Sequence, residues 1–316
     1  PIYDKTVEQL YTYVTEKWNK KANIKLTATT TVSKPKYTTE DCEKVSNEPM
    51  GSYTTEFSVG SSYANRNLNI QNGAKLINGA VVYPGEQYSC NENLYPWTED
   101  NGWHPAGTYV DGGVQDSLGG GICQVSSTLY NALLRAEIKV VKRFPHSMAV
   151  GYVPLSADAA LAGDYKDLVF ENDTDAPIYV QGIYNSGGSI TFNIYGHDTR
   201  KAGHSVKYES KTVKTTPVKT QTKKDSSKPV GYSEVESSGH VGYVAELWKI
   251  TYENGKQVSK ELIHTSTYAM SPTIVVKGTK KASTTTKKDD SDKDDKKSSE
   301  KTTKKSTSSK KSKKSE

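Results

Sequence analysis

The sequence predicts a β-rich α+β fold, in which a mixed domain with a cysteine at a helix N-terminus precedes a small all-β module and a disordered tail. Three observations predict it. Segments of alternating apolar residues recur along the chain, 21 tyrosines outnumber 4 phenylalanines, and a run of three glycines leads directly into a helical pattern. Tyrosine, threonine and valine favour strands, and the glycines favour a sharp turn before the helix.

Residues 1–57 are predicted to be the end of a larger upstream module. Apolar residues at helical spacing predict one amphipathic helix there, formed around Val7, Leu10, Tyr11, Val14 and Trp18. Residues 24–32 alternate as a strand does, and Thr38 before Glu40 and Asp41 is typical of a helix start. No pattern in this segment indicates catalysis.

Residues 58–200 form the domain that carries the chemistry. Its predicted helices cover 69–78 and 124–135, the second with Val125, Leu129 and Leu133 on one face. The predicted strands cover 81–86, 138–144, 168–170, 178–184 and 190–195. Ser186-Gly187-Gly188 joins the last two strands as a hairpin, and residues 97–115 are predicted to be a loop over a site.

The C-terminal third is predicted to be β-structure followed by a tail. Residues 201–229 are an extended linker or the start of a β module that continues over 230–278, with Asn254-Gly255 as a hairpin turn. Residues 279–316 are rich in Lys, Ser and Thr and are expected to be disordered.

The net charge of +6 lies in that tail. Residues 280–316 hold fourteen lysines and seven acidic residues, which leaves the rest of the chain close to neutral, at −1. A near-neutral folded part gives no reason to expect nucleic acid as a partner. A basic tail suits contact with anionic polymers or a merely solubilising terminus.

The chain begins at Pro1, and neither a signal peptide nor an apolar run long enough to span a membrane is visible in it. We therefore expect a processed or truncated piece, with any membrane anchor upstream of it. Its cysteines are Cys42, Cys90 and Cys123. An odd count leaves at least one thiol free or intermolecular. Cys42 and Cys90 are expected to be structural or a disulfide pair. Metal-ligand spacing is missing, so neither a metal nor a cofactor is expected.

Cys123 is the candidate nucleophile. It follows Gly119–Gly121 at the start of a predicted helix, where the partial positive charge of a helix N-terminus lowers a thiol pKa. His146 lies 23 residues further along and could form a thiolate–imidazolium pair with it. The glycine N–H groups could approach a substrate oxyanion. A third group should orient the imidazole, and the candidates are Asp158, Asp167 and Asn172.

Other interpretations of these residues are simpler. Cys123 could be a small buried apolar residue, and His146 an ordinary loop histidine. Ser126 and Ser127 are alternative nucleophiles, although serine within a helix more often bonds to the backbone. His104 is an alternative base.

Two further residue types suggest substrate contacts. Trp97 and Trp103 could line a groove for sugar or peptide, with packing as the competing role. Arg66 and Arg143 could hold a carboxylate, although surface or packing roles are more common for an arginine.

Short motifs recur in a fixed order through 58–200: Asn78-Gly79, Pro84-Gly85-Glu86, Ser89, Asn91-Glu92, residues 119–131, Arg143, His146-Ser147, residues 152–155, Asp158-Ala159, Asp167-Leu168 and Tyr195-Gly196. In these motifs the segment resembles the VanW domain of bacterial cell-envelope proteins. Residues 1–57 resemble the end of the peptidoglycan-binding module that often precedes it. Residues 204–278 resemble a G-five domain, a wall module linked to binding N-acetylglucosamine. Two departures stand out: Cys90 where the family usually has Phe, and Ser156-Ala157 where it usually has Gly-Arg.

The resemblance implies an extracellular enzyme of a bacterial cell wall, of the Gram-positive type. VanW domains are linked by name to vancomycin resistance and have been assigned L,D-transpeptidase activity with a catalytic cysteine. The implied partners are peptidoglycan stem peptides and glycan, with anionic wall polymers for the tail. The alternatives are a cysteine peptidase or carboxypeptidase of wall peptides, and a non-catalytic wall-binding protein.

Site residues follow from the same resemblance together with the reasoning above. The expected catalytic residues are Cys123, His146 and Asp158. The expected substrate-binding or oxyanion residues are Gly120, Gly121, Gln124, Ser147, Arg66 and Trp103.

Overall fold

The computed structural model describes residues 2–17, 37–110 and 113–281. The described helices are α1 (Ile2–Lys17), α2 (Thr39–Glu43), α3 (Ala64–Ile77), α4 (Cys90–Leu94) and α5 (Ile122–Arg135). The described strands are β1 (Gly51–Glu56), β2 (Ala80–Val82), β3 (Gln87–Ser89), β4 (Pro105–Val110), β5 (Gly113–Leu118), β6 (Lys139–Lys142), β7 (Val169–Glu171), β8 (Ile178–Asn185), β9 (Ser189–Tyr195), β10 (His204–Thr216), β11 (Thr220–Pro229), β12 (Ser233–Ser237), β13 (Gly242–Glu253), β14 (Lys256–Tyr268) and β15 (Thr273–Lys280). The predicted α+β class with a C-terminal all-β module is confirmed.

The N-terminal segment contains two of the predicted features. Helix α1 covers the predicted amphipathic pattern, and its apolar side chains Val7, Leu10, Tyr11 and Val14 are exposed. Helix α2 starts as predicted, because Thr38 and Asp41 form a capping box. Trp18, the predicted strand 24–32 and the tail beyond residue 281 lie outside the described residues.

A four-stranded antiparallel sheet with the order β1-β9-β8-β2 organises the domain that carries Cys123. Strand β1 pairs with β9 from Gly51↔Ile194 to Glu56↔Ser189. Strand β1, which precedes residue 58, therefore belongs to the same sheet as β9, although the two segments lie more than 130 positions apart in the chain. The predicted hairpin through 186–188 is confirmed, since it joins β8 to β9.

Helix α5 lies in the core between that sheet, helix α3 and the chain segment at residues 157–161. Apolar side chains from these elements fill the core: Ile70, Ala74, Ile77, Val125, Leu129, Leu133, Ala159, Leu161, Val180, Phe192 and Ile194. Burying such side chains is the main stabilising contribution to the domain. The predicted apolar face of α5 is present, but its polar positions are buried too.

Two smaller groups of strands complete the domain. Strands β3, β7 and β6 form a three-stranded sheet, and β4 pairs with β5 as an antiparallel hairpin. The prediction of a loop over 97–115 is therefore wrong in its second half. The reason is that polar side chains join these two strands. The Thr108 hydroxyl bonds to the Gln115 carbonyl and to the Ser117 hydroxyl across the pair.

The β module, residues 204–281, contains two three-stranded sheets, β10-β13-β14 and β11-β15-β12. Asn254-Gly255 turns β13 into β14 with positive φ at both residues, as predicted. Residues 201–229 are largely strands β10 and β11, so they belong to this module rather than to a linker. Among the described helices, none combines the length and the apolar character that crossing a membrane requires.

Candidate active site

Cys123 occupies the first turn of α5, at the mouth of an open cavity of about 750 Å³. Gly121 precedes the helix with φ +111, a left-handed conformation that glycine adopts without strain. This cavity is an open groove that is also lined by Gly121, His146 and Tyr152, and the half-buried Cys123 faces it. The glycine turn therefore does deliver the cysteine to a helix N-terminus beside a cavity.

Gly120 has a packing role below this groove. A Cβ atom there would lie 2.4 Å from the Ala106 carbonyl oxygen, so only glycine permits this approach of the turn to β4. Its N–H faces the Ser117 carbonyl at 3.4 Å. The prediction of Gly120 as an oxyanion residue is therefore wrong, because its backbone is buried against β4 and β5.

The polar side chains of α5 hold a second segment, residues 157–161, alongside the helix. Asn131 Nδ2 donates to the Ala157 carbonyl at 2.7 Å, and Ser126 Oγ donates to the Ala159 carbonyl at 2.7 Å. Ser127 Oγ accepts the Ala159 N–H at 2.9 Å. Both serines are fully buried, which excludes them as nucleophiles. Their bonds position Asp158 and bring residue 161 to the thiol.

His146 and Asp158 form a close buried pair. The His146 ring atom Nδ1 lies 2.6 Å from Asp158 Oδ2, and the His146 backbone N–H donates to the same oxygen at 2.7 Å. This pairing leaves Nε2 on the groove side of the ring, 3.4 Å from the Tyr152 hydroxyl, and Cys123 is near enough for thiol and ring to shift each other's pKa. The structure thus brings Cys123, His146 and Asp158 together in one chain of contacts.

The electrostatics of these three groups favour an ion pair between thiol and ring. Burial opposes ionisation of Cys123, but the hydrogen bond and charge of His146 outweigh it and lower the pKa of the thiol. Burial likewise disfavours the imidazolium, yet Asp158 and Cys123 raise the pKa of His146 to about 9. A thiolate beside an imidazolium is the reactive form of a cysteine nucleophile.

Arg143 fixes the other side of the Asp158 carboxylate. Its Nη2 lies 2.7 Å from Asp158 Oδ1, and both side chains are buried. Despite burial, the hydrogen bond of His146 and the charge of Arg143 hold the pKa of Asp158 far below its usual value. Arg143 is therefore occupied by Asp158, and the suggestion that it holds a substrate carboxylate is wrong.

Asp167, Asn172 and His104 lie away from the thiol. Asp167 accepts the Ser89 hydroxyl at 2.6 Å and the Asn91 N–H at 3.0 Å, where it stabilises the start of α4. Asn172 donates to the Val82 and Ala176 carbonyls. His104 lines a separate shallow cavity. Asp158 is thus the one of the three acid or amide candidates that contacts His146.

The expected substrate-binding residues divide between the groove and the core. Arg66, Gln124 and Ser147 line the groove, and Arg66 Nη2 donates to Gln124 Oε1 at 2.7 Å. Trp103 is completely buried and packs near Gly73 in the core, so its prediction as a groove residue is wrong. Trp97 lines the groove instead.

The groove carries positive charge. Among the described residues that line it, the permanently charged side chains are Arg66 and Lys166, while Asp and Glu do not contribute. The Lys166 ammonium donates to the Pro145 carbonyl at 2.9 Å, beside His146. Such a surface favours a ligand that bears a carboxylate.

Three contacts of Cys123, His146 and Asp158 were not predicted from the sequence. The Leu161 N–H donates to Cys123 Sγ at 3.4 Å, and the Tyr152 hydroxyl lies 3.4 Å from His146 Nε2. Tyr268 of the β module donates a hydrogen bond to Asp158 Oδ1. Tyr152 belongs to the motif at residues 152–155, which was the one sequence feature that pointed to it. Tyr268 lies in another domain, and no local pattern around Asp158 indicates it.

In the part of the chain that the structure describes, neither a metal-binding cluster nor a disulfide is found. The described residues contain no cluster of His, Cys, Asp and Glu that could hold a metal ion. Cys42, Cys90 and Cys123 are all unpaired, so the suggested Cys42–Cys90 bridge is absent. Cys90 is buried, and burial raises the pKa of its thiol well above the usual value, which makes it an unreactive core residue.

Two family models match parts of this chain. The family model described as VanW like protein matches residues 65–195, and the G5 domain model matches residues 207–280. The first range lies inside the predicted 58–200 and contains the whole Cys123–His146–Asp158 set.

Two curated proteins are similar to part of the chain. "Uncharacterized protein YoaR" of Bacillus subtilis (strain 168) is 37% identical over 164 residues, which are 52% of this chain and 53% of that protein. "Vancomycin B-type resistance protein VanW" of Enterococcus faecalis (strain ATCC 700802 / V583) is 28% identical over 116 residues, 35% of this chain and 42% of that protein. The chain spans about half the length of the curated relatives it matches.

Two solved structures match a part of the chain. The G5 domain structure of IgA1 protease is 30% identical, covers 26% of this chain and 96% of its own, and has a TM-score of 0.20. The HP0197-G5 structure is 23% identical, covers 24% of this chain and 97% of its own, and has a TM-score of 0.17.

Proposed function

We propose that this chain, in which a VanW-like domain precedes a C-terminal G5 domain, is a cysteine-dependent L,D-transpeptidase of peptidoglycan. The observation that carries the proposal is the contact chain from Cys123 through His146 to Asp158 at the edge of an open groove. A nucleophile, a base and a group that orients the base are the parts that acyl transfer requires.

In the first half-reaction, the Cys123 thiolate attacks the carbonyl carbon between the third and fourth residues of a stem peptide. A C–S bond forms, and the peptide C–N bond breaks. His146 gives its Nε2 proton to the departing amine, so D-alanine leaves neutral at nitrogen. The product is a thioester between the stem peptide and Cys123. Asp158 stabilises the charged ring before this transfer and keeps it oriented afterwards.

In the second half-reaction, the side-chain amine of a diamino acid on a neighbouring stem attacks the thioester. The now neutral His146 accepts a proton from that amine, a new amide C–N bond forms, and the C–S bond breaks. The thiolate and the imidazolium are restored. The crosslink joins the third position of one stem to the third position of the other, and no cofactor is consumed.

The charge of the groove supports a wall peptide as donor. A stem tetrapeptide ends in a carboxylate, which Arg66 and Lys166 attract. The G5 domain supplies attachment to wall glycan, and the lysine-rich tail contacts anionic wall polymers. The protein then acts outside the cell, within the wall, on peptides close to the site of its attachment.

The purified chain incubated with tetrapeptide muropeptides tests the proposal. We expect third-to-third dimers and one free D-alanine per crosslink by mass spectrometry, and a carbapenem adduct on Cys123. Cys123→Ala should abolish both products. Cys42→Ser is the matched control, because Cys42 is an exposed free thiol that does not line the groove and its loss should change neither.

The outcomes separate the alternatives. Release of D-alanine without dimers would identify a carboxypeptidase, since the same thioester is then hydrolysed by water. Unchanged crosslinking by Cys123→Ala would overturn the mechanism. Binding to peptidoglycan that survives thiol alkylation, without product or adduct, would identify a wall-binding protein.

A further inference from the structure

We infer that Tyr268, in the G5 domain, is a positioning residue for Asp158, so that the reactive site of the VanW-like domain is complete only when the G5 domain is docked on it. This inference rests on the proposed role of Cys123, His146 and Asp158. Tyr268 ends strand β14 and reaches the carboxylate from the side opposite His146.

The hydrogen bonds of the Asp158 carboxylate divide between its two oxygens. Oδ2 is used by the His146 backbone N–H and ring. Oδ1 is used by Arg143 Nη2 and by the Tyr268 hydroxyl. Rotation of the carboxylate would break bonds on both sides at once, so each donor on Oδ1 helps to keep Oδ2 aimed at the ring. Tyr268 is the donor that comes from the other domain.

The direction of the Tyr268 hydroxyl is itself determined. Its oxygen accepts the Ser156 backbone N–H at 2.7 Å, which leaves the hydroxyl proton for Asp158. Tyr268 is 3% exposed. Burial and the neighbouring carboxylate raise the pKa of this hydroxyl, so it stays protonated and continues to donate wherever the enzyme is folded.

A second set of contacts fixes the loop that carries Asp158 to the same strand. Ser156 has φ +69, a conformation that a non-glycine residue adopts only when its surroundings enforce it. Its Oγ lies 2.8 Å from Ser266 Oγ and 3.1 Å from His264 Nδ1, both on β14. The Ser156 side chain thus binds the other domain directly.

Arg143 and the segment at His146 are joined to the G5 domain as well. Arg143 Nη1 donates to Ser266 Oγ at 2.8 Å. The Ala269 N–H donates to the Ser147 carbonyl at 2.7 Å, one residue beyond His146. Asp158 and Arg143 are therefore hydrogen-bonded to side chains of β14. The backbone next to His146 is hydrogen-bonded to Ala269, the residue that follows β14.

A domain interface that only holds two modules together would also bury a tyrosine. The two roles differ in what removal of the hydroxyl does to the thiol. Loss of attachment lowers stability, whereas loss of positioning changes the pH at which Cys123 ionises. Among the described residues, the charged and titratable groups that face the site from the elements packed around it are Arg66, Tyr130, Arg143, Tyr152, Tyr165, Lys166, His264 and Tyr268.

The test compares Tyr268→Phe with the unaltered chain. The rate of Cys123 alkylation by iodoacetamide is measured against pH, with Cys123 followed by peptide mass spectrometry so that Cys42 does not contribute. We expect the apparent thiol pKa to rise by about 0.5–1 unit, which lowers the alkylation rate about three- to tenfold at a pH below that pKa. Tyr252→Phe, the same change at the far end of β13, should leave the profile unaltered.

An alkylation profile of Tyr268→Phe that superimposes on that of the unaltered chain would overturn the inference, even if its melting temperature falls. If Tyr268→Phe does not fold, Ser266→Ala replaces it, because it removes a bond to Arg143 and keeps Tyr268. A raised thiol pKa in that variant supports the inference, and an unchanged one overturns it. The readout needs no transpeptidation, so failure to form crosslinks would count against the proposed function and leave this test intact.

Discussion

His146 is held to Asp158 at two points through one oxygen atom. The backbone N–H and ring Nδ1 of His146 lie 2.7 and 2.6 Å from Asp158 Oδ2. A ring fixed in this way cannot flip without losing a charge-assisted bond. The pairing places Nδ1 on the carboxylate and presents Nε2 to Cys123, the orientation that a general base for a thiol needs.

Removal of the imidazole should make Cys123 an ordinary thiol. His146→Ala deletes the hydrogen bond and charge that lower the thiol pKa, while burial, which raises it, remains. The alkylation profile of Cys123 should therefore move to higher pH. A shift of about one unit corresponds to about tenfold slower alkylation at neutral pH. Iodoacetamide kinetics followed at the Cys123 peptide measure it.

His104→Ala is the control for this experiment. His104 lines a separate cavity, so its removal should leave the alkylation profile as it is in the unaltered chain. An identical profile for His146→Ala and the unaltered chain would show that His146 does not activate the thiol.

Asp158→Asn should reveal the stability that the buried carboxylate contributes. The variant leaves the Arg143 charge without its partner, which costs about 3–5 kcal/mol in buried pairs. The pKa of Asp158 is lower in the folded protein than in the unfolded chain, where it is about 3.9. Its contribution is thus present above about pH 4 and is lost as the pH falls through the folded-state pKa.

Urea unfolding at pH 7 and in acid measures this effect. The difference in unfolding free energy between the unaltered chain and Asp158→Asn should be large at pH 7 and should shrink below about pH 4. Asp116→Asn, at an exposed strand position, should show no difference at either pH. A difference in unfolding free energy between the unaltered chain and Asp158→Asn that does not change with pH would contradict the assignment of a charged Asp158.

Gly120→Ala should destabilise the domain by about 1–3 kcal/mol, the usual range for an overpacked site. Its Cβ would meet the Ala106 backbone oxygen and carbon at 2.4 and 2.6 Å, so the turn and β4 must separate. Thermal or urea unfolding measures the loss. Gly151→Ala is the matched control, because no atom lies within 4 Å of its added Cβ and its stability should not change. Equal stability of both variants would contradict the close packing of this turn.

Arg66→Gln should weaken the binding of a substrate with a terminal carboxylate. Arg66 lines the groove and is oriented by Gln124, whose side chain amide donates to Thr55 Oγ1 and the Glu56 carbonyl. A charged hydrogen bond contributes about 1.5–3 kcal/mol, which corresponds to about a ten- to 150-fold rise in KM. Steady-state kinetics with a tetrapeptide donor measure it.

An amidated tetrapeptide is the comparison for Arg66→Gln. It has no terminal charge, so the variant and the unaltered chain should use it with similar KM. If Arg66→Gln raises KM equally for the tetrapeptide and for its amide, the carboxylate binds elsewhere in the groove. Lys166→Gln would then be examined in the same way.

Local sequence patterns were sufficient for elements that depend on neighbouring residues. Three elements form as predicted: the helix after Gly121, the turn at Asn254-Gly255 and the start of α2 after Thr38. Each depends on a cap, a turn or an apolar stripe, which needs only a few adjacent positions. The hairpin at 105–118 was not predicted. Its glycine and polar residues resemble a loop, and its strands are stabilised by pairing rather than by an apolar face.

Residue spacing alone could not choose the partner of His146, and only the resemblance to VanW domains indicated Asp158. Asp158, Asp167 and Asn172 all follow the histidine and are all able to accept a hydrogen bond. The choice depends on the three polar residues of α5 that hold segment 157–161 against the helix. Such bonds join residues 26 to 33 positions apart, and nothing in the spacing indicates them.

The sequence by itself determined that one cysteine would stand at a helix N-terminus after a glycine turn, because glycine conformations and helix dipoles act over a few residues. Tertiary structure alone decided what that thiol would meet. Burial of His146 against Asp158 and the ion pair with Arg143 arise only when their domain folds, and the hydrogen bond from Tyr268 arises only when the second domain packs against it. The electrostatic environment of Cys123 depends on these long-range contacts, since charges act through space rather than along the chain.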